Sequence, residues 1–173
     1  MLRRALLVTA FAVPASAAVA QTELLNILGG SGAANFIDQA ARSDLFEIES
    51  SRILLIGSQH PQIREFAQRM IEHHTMNTNE LRSIPEAAER NPPALDARHV
   101  ALLNALRAAE GDLLNRTYVD QQIDAHEEAI VLFRTFANAE PQVTPLRAFA
   151  RSKLPMLEQH LAMARALQLP RAG

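Results

Sequence analysis

What most constrains this chain is a hydrophobic period of three and four residues that recurs between prolines over nearly all of it beyond residue 32. Ile63, Phe66, Ala67, Met70 and Leu81 form one such stripe, and Val119, Ile123, Ile130, Phe133 and Ala137 another. Leu146, Phe149, Ala150, Leu157, Leu161, Ala164 and Leu167 form a further one. A helix with 3.6 residues per turn gathers these positions on one side, and that side needs other helices to cover it. No stretch alternates apolar and polar residues as a half-buried strand does. An all-α fold is expected.

The breaks set the elements. The first long helix is predicted from about Ala33 to Ser58, burying Phe36, Ile37, Ala40, Ile48 and Leu55. His60-Pro61 ends it and opens the second, because proline suits a first helical position whose N–H would be unpaired anyway. Asn91-Pro92-Pro93 marks a loop, and a short helix follows from Asp96, a good N-cap, to Ala109. After Gly111 a third long helix spans about Leu113 to Ala137, Pro141 and Pro145 bracket the next connection, and Pro155 should kink the last helix. The tract from Pro85 to Ala109 is long enough to travel the length of a bundle. The expected fold is a ferritin-like antiparallel four-helix bundle with a short extra helix in the crossover, and a simple up-down-up-down bundle is the alternative.

The N-terminus has the three parts of a secretory signal: Arg3-Arg4, an apolar run from Ala5 to Ala15, and small residues in Ala18-Val19-Ala20. Cleavage is expected after Ala20. The run is shorter than the roughly 20 residues a membrane span takes. The reading is therefore a signal peptide over 1–20, a flexible linker with Gly29-Gly30-Ser31-Gly32 over 21–32, and the bundle over 33–169. The chain is expected in a periplasm or outside the cell, with no transmembrane span after cleavage. The absence of cysteine excludes disulfides, thiolate metal sites and a cysteine nucleophile. A net charge of -2 gives no basic face for nucleic acid.

Polar residues on the buried stripes carry the functional question. His74, His126 and His160 fall among core positions, and Glu47 lies beside Ile48 near the edge of the first stripe. A buried polar group without a partner costs roughly 1–3 kcal/mol on mutational scales, so each of these needs another side chain, a water or a metal. Glu47, His74 and His126 stand near their helices' midpoints, which puts them at one level. His160 is further along and is expected to join them through the Pro155 kink, or else to meet Tyr118 or Asp120. Two readings stay open: a metal-free buried network, or a single divalent ion (Zn, Fe or Mn) on Glu47, His74, His126 and His160. A di-iron centre is disfavoured, because Glu72 and Glu158 precede their histidines by two residues and diverge on a helix. His60, His73 and His99 read as surface residues, and Met70, Met76, Met156 and Met163 as core filler.

The run Phe66-Ala67-Gln68-Arg69-Met70-Ile71-Glu72-His73-His74-Thr75 resembles a secreted bacterial family, the domain of unknown function family 4142 of the ferritin-like superfamily. Phe46-Glu47-Ile48 with Ser50-Ser51, Tyr118 with His126 and Phe133, and Leu154-Pro155 with Glu158 and His160-Leu161 extend the resemblance over about Asn35 to Leu167. It implies a four-helix ferritin-like fold and an envelope or secreted location, and it implies no activity. Members commonly place an acid just before the histidines of the second and third long helices, where this chain has His73 and Ala125. That departure argues against a carboxylate-rich centre. The resulting expectation is a non-enzymatic envelope protein; a separate possibility is a bundle that binds an envelope protein partner through its Pro85–Ala109 crossover. The alternative is a metal-binding or redox protein.

Overall fold

The computed structural model describes residues 15–139 and 144–167, with side chains from residue 32 onward. Residues 1–14 of the signal peptide expected over 1–20, and Pro141, lie outside the described residues. The chain divides into two units, 1–32 and 33–173, and the second contains the core. Among the described residues six helices follow in order: α1 (Ala15–Gly57), α2 (Pro61–Ser83), α3 (Pro85–Ala88), α4 (Ala97–Ala108), α5 (Gly111–Asn138) and α6 (Pro145–Ala166). Among the described residues there is no strand, so the all-α expectation holds. The backbone is helical through Gly29–Gly32, where a linker was expected. Glycine weakens a helix by roughly 1 kcal/mol against alanine but does not forbid one.

The helix starts follow from local chemistry. Pro61, Pro85 and Pro145 open α2, α3 and α6. The Asp96 side chain accepts the His99 N–H at 3.0 Å, and Thr144 accepts the Arg147 N–H at 3.3 Å. Each cap satisfies one of the amide groups that a helix start leaves without a partner. Gly111 has φ +54°, a backbone conformation that glycine takes without a Cβ clash.

Side-chain pairs give the helix directions. Ser58 meets Asn115, Ser51 meets Tyr118, and Phe36 stacks on Phe136, so α1 and α5 are antiparallel. His74 meets Asp44 while Arg64 caps the carbonyls of Leu55 and Ser58, so α1 and α2 are also antiparallel. Arg134–Glu158 and Arg165–Glu127 set α5 against α6, and Lys153–Glu80 with His160–His73 set α6 against α2. Helices α2 and α5 therefore run the same way, and residues 84–110 must carry the chain back along their length. That segment is strapped down by Arg90, which grips Asp38 through two 2.8 Å bonds, by Arg42 bonded to the Ala94 carbonyl, and by Arg98 on Glu128.

The core they enclose contains Phe36, Phe46, Leu54, Ile63, Phe66, Met70, Leu81, Tyr118, Phe133, Leu146 and Leu157. Among the described residues no helix is long and apolar enough to cross a membrane.

Candidate metal centre

The inward stripe of α1 runs Ile37, Ala40, Asp44, Glu47, Ser51 and Leu54 at three- and four-residue steps, and Ser58, just past the helix end, continues it. Four of these seven are polar, and all are buried. Glu47 is 1% exposed and sits at the middle of the buried face, not at its edge. Ile48 and Leu55, expected inside, are half-buried on the flank. Phe36, Ile37 and Ala40 are buried as expected, so the expected line is displaced by one residue only at Ile48 and Leu55.

Three imidazoles face Glu47's helix from the other three long helices. The ring centroids of His74, His126 and His160 are 5.5, 5.5 and 5.3 Å apart. One nitrogen from each lies within 4.8 Å of the others, and all three residues are buried. Two rings are oriented from behind. His74 Nδ1 is 2.8 Å from Asp44 Oδ1, and Asp44 also accepts from Asn77 Nδ2 at 2.9 Å and Thr78 Oγ1 at 3.0 Å. His126 Nδ1 donates to the Gln122 carbonyl at 2.8 Å. Each thereby turns Nε2 toward the middle of the triangle. His160 Nδ1 lies 3.3 Å from His126 Nε2, while its Nε2 faces His73 Nδ1 at 2.8 Å.

Both carboxylate oxygens of Glu47 and the Nε2 of His74 are buried without a hydrogen-bond partner among the described residues. Glu47 Oε1 is 3.7 Å from His126 Nδ1, too far for a hydrogen bond. Burial pushes the Glu47 carboxyl up to about 7, against the pull of His74 and the Gln122 side chain, while Asp44 adds to the rise. Burial and then the charge of His74 push His126 down to about 3. The same two causes, with His126, His73 and Arg69, push His160 down to about 2. For His74 burial acts downward, but the bond and charge of Asp44, with Glu47, outweigh it and raise the ring. His126 and His160 are thus held neutral, with lone pairs available.

Of the four residues singled out from the sequence, His74, His126 and His160 bring nitrogens within 4.8 Å of one another, while Glu47 stands outside that group with Oε1 3.7 Å from His126 Nδ1. His160 arrives there because antiparallel neighbours take their level from the connection that joins them, and His126 and His160 are nearly equidistant from theirs. The midpoint of α6 was the wrong reference. His160 meets His73 and His126 instead of Tyr118 or Asp120, and Tyr118 OH pairs with Ser51 Oγ at 2.7 Å. His73 is half-buried and bonded to His160, not a free surface residue. Glu72 and Glu158 are exposed, and Glu158 pairs with Arg134. Asp44, Asn77, Thr78 and Gln122 were missed. The signal for Asp44 was its position three residues before Glu47 and four after Ala40, on the same helical face.

All these residues fall within the segment 14–167 that matches the family model described as Domain of unknown function (DUF4142). The chain belongs to that family. No curated protein matches this DUF4142 chain. Among solved structures, this DUF4142 chain is similar to one titled crystal structure of DUF305 fragment from Deinococcus radiodurans. The identity is 12% and the TM-score 0.68, over 79% of this chain and 94% of that one. At that identity the likeness concerns the fold alone.

Proposed function

We propose that this DUF4142 chain is an exported metal-binding protein whose helices form a ferritin-like bundle around one mononuclear site. Glu47, His74 Nε2, His126 Nε2 and His160 Nδ1 are the donors. The single observation carrying this is the convergence of three imidazole nitrogens, near a buried carboxylate whose oxygens make no hydrogen bond among the described residues. Ligand nitrogens on a tetrahedral ion with bonds of roughly 2.0–2.1 Å stand about 3.3 Å apart. The His126 Nε2 to His160 Nδ1 separation is 3.3 Å. Three imidazoles and one carboxylate suit Zn, Fe or Mn better than Ca or Mg, which prefer all-oxygen shells.

The backing of His74 by Asp44 and of His126 by a carbonyl is the outer layer that ligating histidines ordinarily have. Four protein donors make a closed centre, the form associated with structural or binding sites more than with open catalytic ones. The helix directions and the length of the 84–110 connection support the ferritin-like arrangement. The Arg3-Arg4, apolar and Ala18-Val19-Ala20 pattern supports export to a periplasm or beyond.

A second reading, a non-enzymatic envelope protein with a metal-free polar network, is favoured by the bonds that already link Asp44 to His74 and Gln122 to His126, His160 and His73. The two readings separate on metal content. The protein purified from its own compartment should hold about one transition-metal ion per chain after dialysis. Added Zn(II), Fe(II) or Mn(II) should raise the melting temperature of the stripped protein. A stripped chain whose melting is unmoved by many-fold excess of all three belongs to the network reading.

A further inference from the structure

Of the three clustered rings, only His160 has both nitrogens facing other histidines. His73 Nδ1 lies 2.8 Å from His160 Nε2, with the two rings stacked at 5.0 Å and 25°. One backbone carbonyl sets the proton positions along this row. The Gln122 carbonyl can only accept, so His126 carries its proton on Nδ1 and leaves Nε2 bare. His160 Nδ1, 3.3 Å away, must then hold a proton, or two lone pairs would oppose each other. A neutral His160 therefore has a bare Nε2, and His73 must donate to it from Nδ1.

A metal ion on His160 Nδ1 needs the opposite arrangement, because that nitrogen must offer its lone pair. The ring then keeps its proton on Nε2, which points at His73 Nδ1, and His73 must accept. We propose that His73 is a positioning residue that exchanges hydrogen-bond roles with His160, so that metal uptake switches the tautomers of both rings and links the buried site to the half-exposed face of α2. This rests on the metal reading above.

The protons balance. The one on His160 Nδ1 is released, the one on His73 Nδ1 passes to His160 Nε2, and His73 Nε2 takes one from water. The pair carries two protons throughout. Only a side chain able both to donate and to accept can serve both states. A carboxylate accepts only and a lysine donates only, whereas glutamine can do either.

The test is long-range proton–nitrogen NMR on the chain with ring-15N histidine, in EDTA and with one equivalent of Zn(II). His160 should be protonated on Nδ1 without zinc and on Nε2 with it. His73→Gln should bind Zn(II) within about threefold of wild type, and His73→Leu at least about tenfold more weakly, the scale of lost outer-layer support. His73→Asp should move zinc-free His160 to the Nε2-protonated form. His160 already protonated on Nε2 without zinc overturns the exchange, and so does unchanged zinc affinity in His73→Leu. A wild-type chain that takes up no Zn(II) removes the metal reading and the exchange together. Zinc uptake with an unaltered His160 tautomer removes the exchange alone. The wild-type spectra decide the switch even if His73→Leu fails to fold.

Discussion

Asp44 Oδ1 accepts from His74 Nδ1 at 2.8 Å with both side chains buried, and the same carboxylate binds Asn77 and Thr78. Asp44 therefore joins α1 to α2 and also directs the His74 ring. Asp44→Ala leaves three buried donors without an acceptor and should cost about 3–5 kcal/mol, the range for breaking a buried pair. Asp44→Asn keeps the volume and should cost less stability, but it loses the carboxylate that holds Nε2 of His74 as the free nitrogen. Zinc affinity should then fall about 10- to 100-fold. Urea unfolding in EDTA and a zinc competition titration read the two effects separately. An Asp44→Asn chain with wild-type zinc affinity would deny Asp44 its orienting role.

Much of this centre was legible from helical period alone. Ile63, Phe66 and Met70 define a stripe whose next turn lands on His74, and Val119, Ile123 and Ile130 enclose His126 in the same way. The α1 face was misread because its inner line carries Asp44, Glu47, Ser51 and Ser58, which apolar patterning passes over in favour of Ile48 and Leu55. His73 was hidden for a different reason. It lies on the flank of the α2 stripe, and only α6, brought across by the register of its connection with α5, supplies the partner that half-buries it. Pairings between helices depend on level and rotation together, and period reports rotation only.

Glu47 should be a cost to the metal-free protein. Its carboxyl is raised from 4.5 to about 7, so the unfolded chain ionises first, and stability is lost as pH rises through that window. At about 1.4 kcal/mol per unit, the loss above pH 7 is on the order of 3 kcal/mol. Glu47→Gln removes the charge but still buries an amide. A net gain of about 1–2 kcal/mol at pH 8 in EDTA, and none near pH 4, is expected. The same variant should bind Zn(II) more weakly. Greater stability with weaker binding, measured by urea unfolding and calorimetric titration, is the signature of a residue retained as a ligand.

Below pH 6.5 the pH slope of the metal-free protein follows from three groups, because His74, whose value is raised, is protonated there in both the folded and the unfolded chain. His126 and His160 have folded values of about 3 and 2, so between pH 6.5 and those values the unfolded chain takes up protons that the folded chain does not. Their contribution to stability is therefore full above 6.5 and is lost as pH drops. Glu47 opposes this between 4.5 and about 7, because there the folded chain holds the extra proton. Two protons against one leave a loss of about 1.4 kcal/mol per pH unit from 6.5 down to 4.5. In Glu47→Gln nothing opposes the histidines, and the slope should double. Unfolding free energies at half-unit steps in EDTA measure both slopes. Equal slopes in the two proteins would contradict the assigned burial of Glu47.

Tyr118 separates the structural seam of α1 and α5 from the centre itself. Its hydroxyl bonds Ser51 at 2.7 Å, and burial raises it well above 10, so it stays protonated. Tyr118→Phe strips a partner from a buried serine and should destabilise the fold by about 1–2 kcal/mol. Because that bond pairs Tyr118 with Ser51 and not with a proposed metal ligand, zinc affinity should stay within about twofold. A loss of tenfold or more would mean that Tyr118 acts on Glu47 and belongs to the centre. The glutamate's oxygens would then need Tyr118 as well as the three imidazoles to be held in place.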